Sequence, residues 1–236
     1  MPHSRNLDHR IICRKDAIFS ATSLTEFGTR TISHSTHVRQ VNLVRISLIQ
    51  ISDSPVLAGA VNGRTAFAEI IKTIPEDSVV PQPLFLDFAN INVATASYIR
   101  ESVFALKTYL RAKSSSYYPV IANANADVWD EVSVIANAKS DVIITCELKD
   151  DETVTNVELI GSLDPKQQMT FELVLKFGEV DANYLMDQYG EAEKTKSTTA
   201  WNNRLASLAS RGIIREYTKG RSKYYRPLLM ERAHGN

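Results

Sequence analysis

The sequence predicts an α/β layered domain followed by a smaller α+β domain of three helices and a hairpin. Three observations carry this expectation. Between residues 38 and 163, short apolar strands alternate with stretches of helical periodicity, the pattern of a layered α/β sheet. From Asp164 onward the order becomes helix, helix, helix, hairpin. The charge also divides: residues 81–193 hold 8 basic and 18 acidic side chains, whereas residues 194–226 hold 9 basic ones and the single acid Glu216. A net charge of zero therefore conceals a local positive field of the kind that attracts a polyanion.

Bulk properties narrow the class. A chain of 236 residues makes one large or two ordinary domains, and 44% hydrophobic with 23% charged residues is an ordinary globular mix. Cys13 and Cys146 fit no zinc or C-x-x-C spacing, so a reducing cytoplasm is expected. No apolar run reaches the ~18 residues of a membrane span, and MPHSRNLDHR lacks the apolar core of a signal peptide. No membrane partner is expected.

Residues 1–37 read as a polar lead, with a short strand at Ala17–Phe19. In VRQVNLVRISLIQI, apolar residues alternate at Val44, Ile46, Leu48 or Ile49, and Ile51, which predicts a strand. Gly59 and Asn62-Gly63 punctuate the chain before a helix from about Arg64, with Phe67, Ile70, Ile71 and Ile74 on one face and Pro75 ending it. Leu84–Phe88 is a continuous apolar strand, expected to be buried on both faces. The loop Ala89–Ala96 leads to a helix carrying Ile99, Val103, Leu106 and Leu110. Strand YPVIANA, helix VWDEVSVIANA and strand DVIITCEL follow. The charged turn KDDET suggests an antiparallel return along VTNVELIG.

Asp164-Pro165 opens the second domain, as N-cap and first-turn proline. The first helix runs to Phe177 before Gly178. The second starts after the cap Asp181 and ends at Gly190. The third is capped by hydroxyls at Ser197–Thr199 and turns Trp201, Leu205 and Leu208 inward. Strands then flank the basic turn Thr218–Ser222. TTAWNNRLASLASRGII followed by REYTKGRSKYYRPL resembles the winged helix-turn-helix domains of bacterial regulators, over roughly residues 165–230. Such modules place the start of the third helix in the major groove. There Thr199, Asn202 and Asn203 face outward, and Asn can pair with adenine. Ser197 and the helix N-terminus suit phosphate. Arg204, Arg215 and the hairpin residues Lys219, Arg221 and Lys223 complete the expected contacts to double-stranded DNA. The competing readings are a solvated basic face and a protein-docking module. Trp201 belongs to the leucine face, and one of Tyr224 and Tyr225 is core.

LFLDFANINVATASYIRESVFALKTYL, with the preceding NGRTAFAEIIKTI, resembles STAS-like domains, relatives of the anti-sigma-factor antagonists, over roughly residues 40–160. That resemblance implies a protein partner such as a GHKL-type ATPase, or self-association. In the antagonists an Asp-Ser in this loop is phosphorylated. Here the loop reads Val93-Ala94-Thr95-Ala96-Ser97 and lacks the aspartate, so Thr95 and Ser97 are weak phosphorylation candidates and stronger helix caps. Asp87 is expected to bind loop N–H groups. His34 and His37 stand without further ligands, so no metal is expected. No Walker, G-x-S-x-G or H-E-x-x-H motif is present, and neither catalysis nor a cofactor is expected.

The organisation read from the sequence is thus a lead (1–37), an α/β domain resembling STAS (38–163) and a domain resembling a winged helix (164–236). The expected function is a DNA-binding, transcriptional regulator. An adaptor or partner-switching component, and a DNA-targeting subunit of a defence or modification system, are the alternatives.

Overall fold

The computed structural model describes residues 11–12, 43–78, 80–195 and 197–229. The chain runs through β1 (Ile11–Ile12), β2 (Val44–Ser47), α1 (Leu48–Ser52), β3 (Val56–Leu57), α2 (Ala60–Thr73), β4 (Gln82–Asp87), β5 (Val93–Ala94), α3 (Ala96–Ile99), a π-helical turn (Arg100–Phe104), α4 (Ala105–Ala112), β6 (Tyr117–Ala122), α5 (Ala126–Ala138), β7 (Val142–Leu148) and β8 (Val154–Gly161). It continues through α6 (Pro165–Phe177), α7 (Ala182–Tyr189), α8 (Thr198–Ser210), β9 (Ile214–Lys219) and β10 (Ser222–Pro227). The fold is therefore mixed α/β, organised on a parallel-rich sheet.

That sheet has six strands in the order β1-β8-β7-β6-β4-β2. Strands β2, β4, β6 and β7 are parallel, β8 returns antiparallel beside β7, and β1 pairs antiparallel with β8. The parallel strands are laid down in one direction across the sheet. Crossovers between parallel strands are right-handed almost without exception, so a one-directional order puts every crossover helix on the same face. The buried side chains agree. Leu84, Leu86, Ile121 and Ile143 share one cluster with Ile70 of α2, Ile99 of α3, Leu106 of α4 and Val132 of α5. Phe85, Val120, Ile144 and Cys146 point to the opposite face, which no crossover helix can reach.

The C-terminal segment covers that second face. Phe171 and Val174 of α6, Leu185 of α7, Trp201, Leu205 and Leu208 of α8, and Tyr225 of β10 lie in one contiguous cluster with the sheet residues. Leu163–Pro165 is thus where the architecture changes, while the core runs on across it. Two cations, Arg211 and Arg215, tie the two parts along their seam. Arg211 donates to the carbonyls of Ser140 and Ser162 and to Gln167 Oε1. Arg215 donates to the carbonyls of Pro81 and Pro227. On the sheet side of the seam Arg111 stacks on Tyr118 at 3.7 Å, and Lys107 binds Asp141. Gly212, at φ 72°, lies close against Arg111, Lys107 and Tyr118.

Several local expectations change. The strand read through Ile51 stops at Ser47, opposite Asp87, where its partner β4 also ends. Leu48–Ser52 coils into α1, burying Leu48 and packing Ile49 and Ile51 on the helix-covered face. Helix α2 begins at Ala60, four residues before the expected Arg64. Gly63 is an internal helix residue because a Cβ there would stand 2.7 Å from the Tyr98 carbonyl oxygen, and the two helices need that closeness. Asp164 and Asp181 cap α6 and α7 as expected, whereas Ser197 makes no side-chain cap bond to α8. The strand read at Ala17–Phe19 lies outside the described residues. Among the described residues no helix is long and apolar enough to cross a membrane.

Lys107 yields a pH prediction. Its side chain is 5% exposed, and it donates to Asp141 Oδ1 and to the Val142 carbonyl, each at 2.5 Å. Burial pushes its pKa down to about 8, against the opposing pull of Asp141. Between about 8 and the ordinary lysine value, the unfolded chain therefore binds more protons than the native one. Stability from this group rises with pH across that window, by up to about 3 kcal/mol. Urea melts of wild type and Lys107→Met at pH 7.5 and 10 should show wild type gaining on the variant. Parallel pH curves would refute the expectation.

Candidate nucleic-acid interface

Helix α8 is held by its apolar stripe. Trp201, Leu205 and Leu208 are fully buried, and the helix packs on α6, α7 and β9. The opposite side of its first half carries Thr199, Asn202 and Asn203, all exposed, with exposed Ser197 just ahead. Further along, Ala206 and Ser210 line a cleft of about 510 Å³ whose other wall is Arg111, Ser114–Ser116 and Tyr118. Helix α8 is thus open over its first half and shares a cleft with the sheet part over its second.

The hairpin beside α8 pairs β9 with β10 through the two-residue turn Gly220-Arg221, with Gly220 at φ 62°. A third short backbone pairing joins it: Val180, between α6 and α7, exchanges N–H···O bonds with Tyr225 at 3.0 and 2.8 Å. Tyr225 is the buried member of the tyrosine pair, and its hydroxyl is raised in pKa by burial and by Glu216. The turn and its flanks, Thr218 to Lys223, are exposed.

The structure sorts the basic residues read from the sequence. Arg204 lies over the Trp201 ring at 4.7 Å and 3.6 Å from Glu193, with its side chain 11% exposed. Arg215 was expected to face DNA. It instead pins β9 to Pro81 and Pro227, and burial lowers its pKa. Lys219 pairs with Glu179 at 2.6 Å, and Lys223 with Glu216 at 2.6 Å. Arg221 is exposed and has no ion pair among the described residues. Ser197, Thr199, Asn202, Asn203 and Arg221 are therefore the unencumbered members of the expected set.

Sequence reasoning passed over Glu179. Its carboxylate accepts from Lys219 Nζ, Tyr217 OH and Arg226 Nε, and these donors hold its pKa down to about 2. Lys219 and Arg226 are raised in turn by the same carboxylate. Glu179 sits in a short connection with no periodicity, so nothing in the pattern marks it.

On the sheet part, Thr95 is the N-cap of α3: its Oγ1 accepts from Tyr98 N at 3.4 Å and from Gly59 N at 3.2 Å, and it contacts Ser97 Oγ at 3.2 Å. The Glu131 carboxylate accepts from Ala96 N at 2.8 Å, so negative charge already stands at this helix start. Thr95 and Ser97 are each half-buried. Asp87, 3% exposed, accepts from Ala89 N as expected, and also from Arg45 and Asn123. Asp151 accepts from Thr153 N in an exposed turn. Among the described residues no three His, Cys, Asp or Glu side chains converge as metal ligands, and His34 and His37 lie outside them. No family model, curated protein or solved structure matches the chain.

Proposed function

We propose that the chain is a DNA-binding regulatory protein. Its C-terminal part acts as a winged helix-turn-helix, and its STAS-like sheet part engages a protein partner or a second copy. The observation that carries the reading is the exposed first half of α8, with Thr199, Asn202 and Asn203 outward beside an exposed basic hairpin turn. The order helix, helix, helix, hairpin supports it, and the isolated Val180–Tyr225 bridge stands where a winged helix has its third strand. Asn202 and Asn203 are suited to base edges, and Arg221 to backbone phosphate.

The test uses the full chain and a labelled mixed-sequence duplex, by fluorescence anisotropy at 50 and 200 mM salt. Three phosphate contacts would weaken binding by roughly 40-fold across that range. Arg221→Ala should lower the logarithmic salt slope by about one. Asn202→Ala should cost about 1–3 kcal/mol of discrimination on a selected site. Absence of binding at 50 mM salt would sink the reading. A second reading, a protein-docking module, is favoured by the internal pairing of Arg204, Lys219 and Lys223. It expects no duplex binding and capture of a protein partner that survives Arg221→Ala.

A further inference from the structure

Pairing across the hairpin puts Arg215 opposite Arg226, Tyr217 opposite Tyr224, and Lys219 opposite Ser222. Side chains alternate along strands, so these six share one face. The other face carries buried Ile214, Tyr225 and Pro227 toward the core. The outer face is thus cationic and aromatic. Tyr217 and Tyr224 stack at 6.0 Å, Lys219 lies 4.9 Å from the Tyr224 ring, and Arg226 lies 4.9 Å from the Tyr217 ring. Three donors on this face, Tyr217 OH, Lys219 Nζ and Arg226 Nε, converge on a single point, and the Glu179 carboxylate fills it.

Glu179 is not needed there to hold its own segment. The next residue, Val180, is already fixed to Tyr225 by two backbone hydrogen bonds. The carboxylate is also reachable: its side chain is 28% exposed, with Lys219 at 52% and Arg226 at 49%. A phosphate group presents the same acceptor oxygens with equal or greater charge, and convergent Arg, Lys and hydroxyl donors suit it.

We propose that the outer face of the hairpin is a phosphate seat occupied by the chain's own Glu179, and that a phosphate-dense polymer binds by displacing this carboxylate. The proposal deepens the DNA-binding reading and rests on it for the identity of the polymer. It adds Tyr217 and Arg226 as contacts and makes Glu179 a competitor that lowers affinity. A carboxylate held far below its usual pKa range stays ionised near neutrality, so ligand competition rather than protonation empties the seat.

The experiment compares full-length wild type, Glu179→Gln, Glu179→Asp and Glu179→Gln/Arg226→Ala against two probes, a labelled 20-base-pair duplex and long-chain polyphosphate. Glu179→Gln should bind tighter by roughly fivefold or more, with a logarithmic salt slope steeper by about one. Glu179→Asp, which keeps the charge, should stay near wild type, and the double variant should lose the gain. In wild type, the Arg226 Nε–H and Tyr217 ring resonances should shift as either polymer is added, a readout that needs no variant to fold. Glu179→Gln binding both polymers no better than wild type, or resonances that stay fixed while a polymer binds, would overturn the seat. If duplex binding is weakened by Asn202→Ala yet indifferent to Glu179→Gln, the seat falls and the DNA reading stands. If Glu179→Gln gains polyphosphate but neither protein binds duplex, the seat stands with free polyphosphate as its ligand and the DNA reading falls.

Discussion

Trp201→Ala should destabilise the whole chain by about 3–5 kcal/mol, the cost of emptying a large, fully buried aromatic site. Its diagnostic value lies in where the damage is felt. Trp201 belongs to the cluster that joins α8 to Phe85, Val120 and Ile144 of the sheet. Loosening that cluster should lower the stability of both parts together. The chain has two tryptophans, so the variant retains Trp129 on α5, which packs against the opposite face of the sheet. Far-UV circular dichroism and Trp129 fluorescence should therefore shift to the same lower denaturant midpoint, in one transition. A Trp129 midpoint unchanged from wild type would mean that the C-terminal part unfolds by itself and that the shared core contributes little.

Asp87→Ala should cost about 1–3 kcal/mol, for an electrostatic reason. Asp87 ends β4 almost out of contact with solvent and gathers three neighbours. Arg45 Nε reaches it from β2 at 2.8 Å, Asn123 Nδ2 from the end of β6 at 2.8 Å, and Ala89 N from the following loop at 3.0 Å. Asn123 in turn exchanges hydrogen bonds with the backbone of Leu148 at the end of β7. One carboxylate thereby fixes the ends of four parallel strands. Among the described residues, alanine leaves Arg45 with only the exposed Asp150 at 3.6 Å, and Asn123 Nδ2 with only the Leu148 carbonyl at 3.2 Å. Asp87→Asn keeps an acceptor but weakens the hydrogen bond, and loses the charge, that together raise the Arg45 pKa, so its cost should be smaller. Equal stability of wild type and Asp87→Ala in urea would refute this account.

Features that depend on periodicity were legible in the sequence. The continuous apolar run at Leu84–Leu86 is buried on both faces, with Phe85 toward one cluster and its neighbours toward the other. Trp201 and Tyr225 are core, and KDDET does join antiparallel strands. What escaped was relational. The alternation at Val44–Ile51 suits a strand, but β4 ends opposite Ser47 and offers nothing further to pair with. Asn62-Gly63 has the composition of a turn, and only the approach of Tyr98 shows why a glycine sits inside a helix there. For the candidate site, counting charge treated each cation as free. Arg204, Arg211 and Arg215 are turned to internal partners, and Glu179 and Glu216 hold Lys219 and Lys223. Those partners are distant in sequence or sit in unpatterned loops, so no local window displays them.

The arrangement of the two layers also sets an order of events during synthesis. Every crossover helix lies on one side of the sheet, so among the described residues the cover of Phe85, Val120 and Ile144 comes mainly from elements made after β8. Their cover arrives with roughly the next 65 residues, several seconds later at ordinary rates of translation. A chain interrupted in that interval lacks α6, α7 and α8 over that apolar face, and a chain supplied only with the later residues lacks the floor on which α8 rests. Helix α8 therefore takes up its position only after the sheet beneath it exists, so a chain that has made α8 has already made the floor it needs.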